Sequence, residues 1–182
     1  MANIFRVVLI LMALGLAACT KQIDRELIGA AANGDLQKVK ALLNQGANIE
    51  AVALDGWTPL TVASREGHKA VASFLISKGA DVNHEESGGN PPLLWAALDG
   101  HRELVELLLA NGVAVKPRGR RSGDPLLAAV VERHYDIAKI LLLHGADPTR
   151  KNYEGLTPLG VAQERGDKKM IDLLTNAGKQ QK

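Results

Sequence analysis

Two apolar patterns alternate along most of the chain, and both have the spacing of short amphipathic helices. In the segment GWTPLTVASREGH (residues 56–68), Thr58 and Pro59 predict a helix start, because a threonine hydroxyl caps the helix and proline suits its first position. Gly67 predicts the left-handed turn that ends this helix. The segment AVASFLISKGAD (residues 70–81) predicts a second helix. The unit is therefore helix, tight turn, helix and extended loop.

This unit recurs with a constant period of 33 residues. The period is kept by the turn glycines Gly46, Gly79, Gly112, Gly145 and Gly178, and by the prolines Pro59, Pro92, Pro125 and Pro158. A fixed period in this range indicates a stacked solenoid. The spacing predicts five repeats, which begin near Gln22, Asp55, Gly88, Arg121 and Glu154 and cover residues 22–54, 55–87, 88–120, 121–153 and 154–182.

The repeated motifs resemble those of ankyrin repeats. The family pattern T-P-L-H-x-A appears as TPLTVA (58–63), PPLLWA (91–96), DPLLAA (124–129) and TPLGVA (157–162). The pattern G-A-D-V-N appears as GANIE (46–50), GADVN (79–83), GVAVK (112–116) and GADPT (145–149). The resemblance covers about residues 22–179. It implies an all-α solenoid of five helix-turn-helix units with β-turn fingers, in which the first and last units are caps.

Three departures from the family pattern have physical consequences. The motif histidine is missing from every repeat and is replaced by Thr61, Leu94, Leu127 and Gly160. Pro91 stands where the capping threonine belongs, so that helix should start without a side-chain acceptor. Arg133 replaces a turn glycine, which costs about 1–2 kcal/mol if the backbone keeps the left-handed conformation.

The first 19 residues have a pattern of their own. Arg6 precedes an apolar run of 12 residues from Val7 to Ala18, which is shorter than the roughly 20 residues of a membrane-spanning helix. A basic start, a short apolar middle and a small-residue end are typical of a secretory signal. The last four residues, LAAC (16–19), resemble the lipobox of bacterial lipoproteins, in which the cysteine sulfur receives a diacylglyceryl group and the signal is cut before it.

This second resemblance predicts a signal peptide at 1–18 and a lipidated Cys19 in a short tether, 19–21. The alternative is a plain signal peptide with an incidental cysteine. In the lipoprotein family an Asp after the cysteine often retains the protein in the inner membrane, so Thr20 implies the periplasmic face of the outer membrane. As the only cysteine, Cys19 cannot form an internal disulfide.

Composition and charge limit the classes of partner that the protein is expected to bind. The 182 residues are 46% apolar but only 3% aromatic, so the core should consist of aliphatic side chains and close backbone contacts. The formal net charge of +2 does not indicate the clustered basic surface that nucleic-acid binding needs. We therefore expect another protein as partner, a membrane reached through the lipid anchor, and no nucleic acid.

The residues that could bind a metal or take part in catalysis recur with the period of the repeat. His68, His101 and His134 lie 33 residues apart, at one position just after the turn. Stacked helices are about 8–10 Å apart, whereas zinc–nitrogen bonds are about 2.0–2.1 Å long, so we expect helix-capping histidines and no metal site. No serine lies in a nucleophile-elbow motif. The sequence predicts a protein without catalytic residues, cofactor or small-molecule substrate.

The resemblance to ankyrin repeats implies that a partner binds to the fingers and to the exposed side of each first helix. The predicted partner-binding residues are Trp57, Arg65, Glu66, Asn90, Leu98, Asp99, Arg118, Arg120, Arg121, Val131, Glu132 and Tyr153. Trp57 and Tyr153 lie on fingers, as anchors or as scattered surface aromatics, whereas Trp95 lies in a helix motif and is expected to pack. The run KPRGRR (116–121) is either a solvated loop or a docking patch for an acidic partner or anionic headgroups.

Together these features predict a lipid-anchored periplasmic protein that binds another protein without chemistry of its own. It would be a scaffold or support for an envelope enzyme, and periplasmic ankyrin proteins linked to peroxide defence imply a place in oxidative stress defence. The first alternative is an immunity or inhibitor protein that neutralises a periplasmic toxin. The second is a hydrolase or ligand-binding protein that uses the histidine row.

Overall fold

In the second to fifth repeats the start of the first helix is set by a proline and, in three of these four cases, by a side-chain cap. Thr58 accepts a hydrogen bond from the backbone N–H of Thr61 (3.2 Å), and Thr157 does the same for Gly160 (2.9 Å). Asp124 accepts from the N–H groups of Leu126 and Leu127. Pro91 makes no such bond, as the sequence predicts. These caps satisfy backbone donors that have no partner inside the helix.

The computed structural model describes residues 21–116 and 123–180, which form five successive helix pairs and no β-strand. The helices are α1 (21–32), α2 (Leu36–Asn44), α3 (Pro59–Arg65), α4 (Lys69–Ser77), α5 (Pro92–Leu98), α6 (Arg102–Ala110), α7 (Pro125–Val131), α8 (Tyr135–Leu143), α9 (Pro158–Glu164) and α10 (Lys168–Gln180). The predicted all-α solenoid is therefore confirmed. Among these helices, none is long and apolar enough to cross a membrane.

The two helices of a pair are joined by a turn in the left-handed conformation. Gly67 and Gly100 both have a φ of +80° there, which glycine adopts without strain. The fourth repeat keeps this geometry without a glycine, because Arg133 has a φ of +59°. Its guanidinium Nε lies 3.5 Å from Asp167 at the start of α10. The strain that the sequence predicts at Arg133 is therefore present and lies beside an ion pair.

Successive pairs stack so that first helices contact first helices and second helices contact second helices. Each layer is held by a ladder of leucines 33 residues apart. In the first helices the ladder is Leu27, Leu60, Leu93 and Leu126, at most 1% exposed; in the second it is Leu42, Leu75, Leu108, Leu141 and Leu174, at most 4% exposed. These leucines, with the buried alanines and valines around them, form a continuous aliphatic core, which explains why so few aromatic residues are needed.

The first, second and last loops between repeats are closed by the same type of backbone hydrogen bond. In the first finger the N–H of Ala53 donates to the Trp57 carbonyl (3.0 Å), and in the last the N–H of Asn152 donates to the Leu156 carbonyl (2.9 Å). The second finger contacts the first, since the N–H of Ser87 donates to the Asp55 carbonyl (3.0 Å). The first and second fingers are thus fixed to each other.

Candidate functional site

Two tryptophans and an arginine form a cluster where the first finger meets the first helices. The ring centroids of Trp57, at the base of the finger, and Trp95, on α5, are 4.7 Å apart with their planes tilted by 40°. The Arg65 guanidinium at the end of α3 lies 5.4 Å from the Trp57 ring and 5.7 Å from the Trp95 ring. Both rings are partly buried, and Arg65 is exposed. We call these three residues the tryptophan cluster.

The cluster changes the interpretation of Trp95. The sequence predicts a packing role, and Trp95 does pack, but against a finger tryptophan and with part of its surface open to solvent. Its indole N–H is buried and has no acceptor in the described part of the chain, so ring contacts set its position. Trp57 and Arg65, which the sequence predicts as separate contacts, become one surface. Tryptophan and arginine are the residue types that most often anchor protein interfaces.

A second feature is an apolar groove of about 190 Å³ between α5 and α7, which we call the central groove. It brings together three predicted partner-binding residues, Leu98, Val131 and Tyr153. Tyr153 is 67% exposed. The lining consists of Leu94, Leu98, Gly123, Asp124, Leu127, Ala128, Val131, Asn152 and Tyr153.

The floor of the central groove consists of two leucines that replace the motif histidine. Leu94 is 8% exposed and Leu127 is 9% exposed, so each shows a small apolar surface to the groove. The equivalent residue in the second repeat, Thr61, is buried and hydrogen-bonds to the Thr58 hydroxyl (2.9 Å), and in the fifth repeat Gly160 has no side chain. The groove is therefore a property of the third and fourth repeats. The sequence shows leucine at this normally polar motif position, but the groove that the two leucines form was not predicted.

Carboxylates border this apolar surface. Asp99 and Glu132 are exposed and directly follow Leu98 and Val131, and neither forms an ion pair within the described residues. Asp124 lies in the groove wall, where burial raises the pKa of its carboxyl although two backbone N–H groups oppose this. One repeat earlier, the predicted contact Glu66 lies 4.0 Å from the Arg65 guanidinium and is exposed.

The Asn90 side chain forms hydrogen bonds within the protein. Its amide nitrogen donates to the carboxylate of Glu86 (2.5 Å), and its amide oxygen accepts from the N–H of Gly123 (2.7 Å). Glu86 is only 8% exposed and also accepts from the N–H of Gly88 (2.6 Å). Both ends of the Asn90 side chain are thus engaged in connecting two fingers. We assign it this structural role and leave it out of the partner-binding surface.

Four other predicted residues lie outside the described part of the chain. They are Cys19, Arg118, Arg120 and Arg121. Their proposed roles in lipidation and in partner contact therefore stay predictions.

The histidine row connects the repeats, and the predicted capping role of His68, His101 and His134 is found at the end of the preceding repeat's first helix and not at the start of their own helix. None of these side chains makes a capping hydrogen bond to its own helix. Instead, each ring Nε2 donates to a backbone carbonyl of the preceding repeat: His68 to Ala32 (2.9 Å), His101 to Arg65 (2.7 Å) and His134 to Leu98 (3.1 Å). The row is a line of hydrogen bonds along the solenoid.

This arrangement requires a glycine in the preceding turn. A Cβ atom at Gly34, Gly67 or Gly100 would lie 2.5–2.7 Å from the histidine ring of the next repeat. Where the turn residue is Arg133, the next repeat has Asp167 and no histidine. Asp167 also accepts from the Tyr135 hydroxyl (2.9 Å) and the N–H of Met170 (3.1 Å). The arginine in the turn of the fourth repeat and the missing histidine in the fifth repeat therefore occur together.

Three histidines engaged in this way offer no converging set of ligands. Within residues 21–116 and 123–180, no three His, Cys, Asp or Glu side chains lie close enough together to hold a metal ion.

Comparison with known proteins gives the family. The family model described as "Ankyrin repeats (3 copies)" matches residues 27–119 and 86–152, which together span more than half of the chain. No match is found among the curated proteins.

Proposed function

Because the chain belongs to the ankyrin-repeat family, a family of protein–protein interaction modules, we propose that it is a lipid-anchored protein of the bacterial envelope. It faces the periplasm and binds a partner protein through the surface formed by its fingers and first helices. Its role is that of a scaffold or support for an envelope enzyme. The resemblance to periplasmic ankyrin proteins linked to peroxide defence implies an enzyme of oxidative stress defence.

The observation that supports partner binding most strongly is the central groove. Leu98 and Val131 form a partly buried apolar surface that continues into the exposed ring of Tyr153. Exposed apolar area that is bordered by polar groups is typical of interaction sites on soluble proteins. The tryptophan cluster adds a second anchor on neighbouring helices, with Arg65 placed over two rings.

Anchoring rests on the segment LAAC, residues 16–19. Cys19→Ser removes the thiol that receives the diacylglyceryl group, and we expect complete loss of incorporated fatty-acid label and of flotation with membranes. The measurement is metabolic labelling of cells that express the full chain. Thr20→Ser is the matched control and should keep the label. Label retained by the Cys19→Ser protein would show that the cysteine is not the acceptor and would end this part of the proposal.

Partner binding is tested by affinity purification of the lipidated protein from detergent-solubilised envelopes, followed by mass spectrometry. We expect one envelope enzyme to be recovered in larger amount with the unaltered protein than with a variant whose central groove is altered. Enrichment of a secreted toxin instead would favour the inhibitor role, and equal recovery with the variant would contradict binding at the groove.

A further inference from the structure

A cleft of about 810 Å³ opens between the first half of α1 and the first finger. Its lining comes from two stretches, 21–28 on α1 and 48–55 on the finger, and includes Lys21, Arg25, Val52 and Leu54. The start of α1 and the tip of the first finger therefore lie at the same end of the first repeat. We call these four residues the amino-terminal edge.

The finger in this edge carries the most exposed large apolar side chain of the described residues. Leu54 is fully exposed and Val52 is 58% exposed, and only one residue separates them. The finger does not need them for its own structure, because its turn is closed by backbone hydrogen bonds of Ala53 with Trp57 and Gly56. The two apolar side chains are therefore exposed on a finger whose backbone conformation does not depend on them.

The distance along the chain to the proposed anchor is very short. α1 already includes Lys21, and only Thr20 separates Lys21 from Cys19. Two residues span at most about 7 Å when fully extended. A lipid on Cys19 therefore places the first turn of α1 at the membrane surface, and the finger tip that shares its cleft is placed there as well.

The edge also carries two basic side chains. Lys21 and Arg25 are exposed and form no ion pair within the described ranges. Two of the three carboxylates in the cleft are engaged, since Asp24 accepts from the N–H of Asn48 (2.7 Å) and Glu50 accepts from the N–H of Asp81 (2.8 Å). Because Lys21 and Arg25 are unpaired, both can contact lipid phosphates, which attract basic residues close to a membrane. The three carboxylates of the cleft keep their charge, so the apolar side chains carry the larger part of the contact.

We propose that the amino-terminal edge is a membrane-contact surface, with Leu54 and Val52 inserted among the lipids and Lys21 and Arg25 against anionic headgroups. This inference rests on the lipid anchor of the proposed function. The edge and the acyl chains then hold the solenoid at two points, which fixes its orientation relative to the bilayer. A lipid anchor alone would let it rotate freely.

The test uses the lipidated full-length product with an environment-sensitive fluorophore on Leu54→Cys, reconstituted in vesicles of phosphatidylethanolamine and phosphatidylglycerol. Leu143→Cys is the matched control, because Leu143 is also a leucine that is 71% exposed, but on α8. We expect the label at 54 to emit at shorter wavelength and to lose most of its intensity when nitroxide-bearing lipids are added. The label at 143 should do neither.

The contribution of charge is measured with the same label. Arg25→Glu should reduce the quenching at position 54, whereas Lys139→Glu, which reverses an exposed charge on α8, should not. Unchanged quenching in the Arg25→Glu protein would show that the headgroup contact is absent.

The other outcomes are distinguishable. Protein that does not float with the vesicles lacks the lipid anchor, and the proposed function fails with it. Protein that floats while both labels remain in water overturns the membrane-contact surface and leaves the anchor intact. A label at 54 that is shielded in a concentration-dependent way and ignores the nitroxide lipids assigns the edge to a second copy of the chain, and this also overturns the proposal.

Discussion

Gly100→Ala is expected to lower the free energy of unfolding by about 2–5 kcal/mol, the sum of two separate costs. The first is the left-handed backbone, since Gly100 has a φ of +80° and a side chain there costs about 1–2 kcal/mol. The second is steric, because the new Cβ would lie 2.7 Å from Cε1 of His134. Overpacking of this kind costs about 1–3 kcal/mol when the neighbour is held in place, and the His134 ring is held by its hydrogen bond to Leu98.

Gly112→Ala is the matched control for this prediction. Gly112 has the same φ of +80°, but a Cβ there would meet nothing within 4 Å. Urea unfolding should therefore show a loss of about 1–2 kcal/mol for Gly112→Ala and a larger loss for Gly100→Ala. The double variant Gly100→Ala with His134→Ala should lose less than the sum of the two single changes. Equal losses at the two glycines would mean that the ring moves aside freely and that the histidine row does not connect the repeats.

Val131→Asp is expected to weaken partner capture at least roughly 30-fold, because a residue at the centre of an interface contributes about 2 kcal/mol or more. The change places a carboxylate on the rim of the central groove, beside Glu132, where an apolar partner group would have to desolvate it. Capture is measured as enrichment in affinity purification from solubilised envelopes. Leu143→Asp, on the exposed end of α8, should leave capture unchanged.

Loss of folding would not explain this effect. Val131 is the last residue of α7 and is only partly buried, so a polar side chain there does not enter the leucine ladders. An acidic residue at a helix end costs only about 0.3–1 kcal/mol. Val131→Lys removes that small cost and should also lose capture if the apolar surface matters. Capture that survives both substitutions, in protein with a normal unfolding midpoint, would move the binding site away from the central groove.

The sequence predicts the solenoid well because a helix pair and its turn are local structures. Pro59 and Gly67 act on their immediate neighbours, and the constant period then repeats the same local result along the chain. The left-handed turn at Arg133 could also be predicted, since the periodicity demands it whatever residue is present.

Contacts between neighbouring repeats were not predictable in the same way. The histidines stand at helix starts, which favours a cap on their own helix, but their rings turn to the end of the preceding repeat's first helix because a glycine there leaves room for them. Trp57 meets Trp95 only because a finger reaches the first helix of the next repeat. Nothing in the sequence distinguishes Asn90 from the other finger residues, because its bonds to Glu86 and Gly123 depend on the folded structure. Each case depends on how far a side chain reaches across a repeat boundary, which the periodicity alone does not give.

Site-specific photocrosslinking in living cells is the most direct test of the claim that the finger side of the solenoid binds a partner in the envelope. A photoreactive amino acid replaces Tyr153, whose side chain borders the central groove and is 67% exposed, and in a second strain it replaces Leu143 on α8. We expect a discrete crosslinked product with one envelope protein from position 153, which disappears in the Val131→Asp background, and none from position 143. A product from position 143 alone, or no product from position 153 in membrane-anchored, folded protein, would contradict the claim.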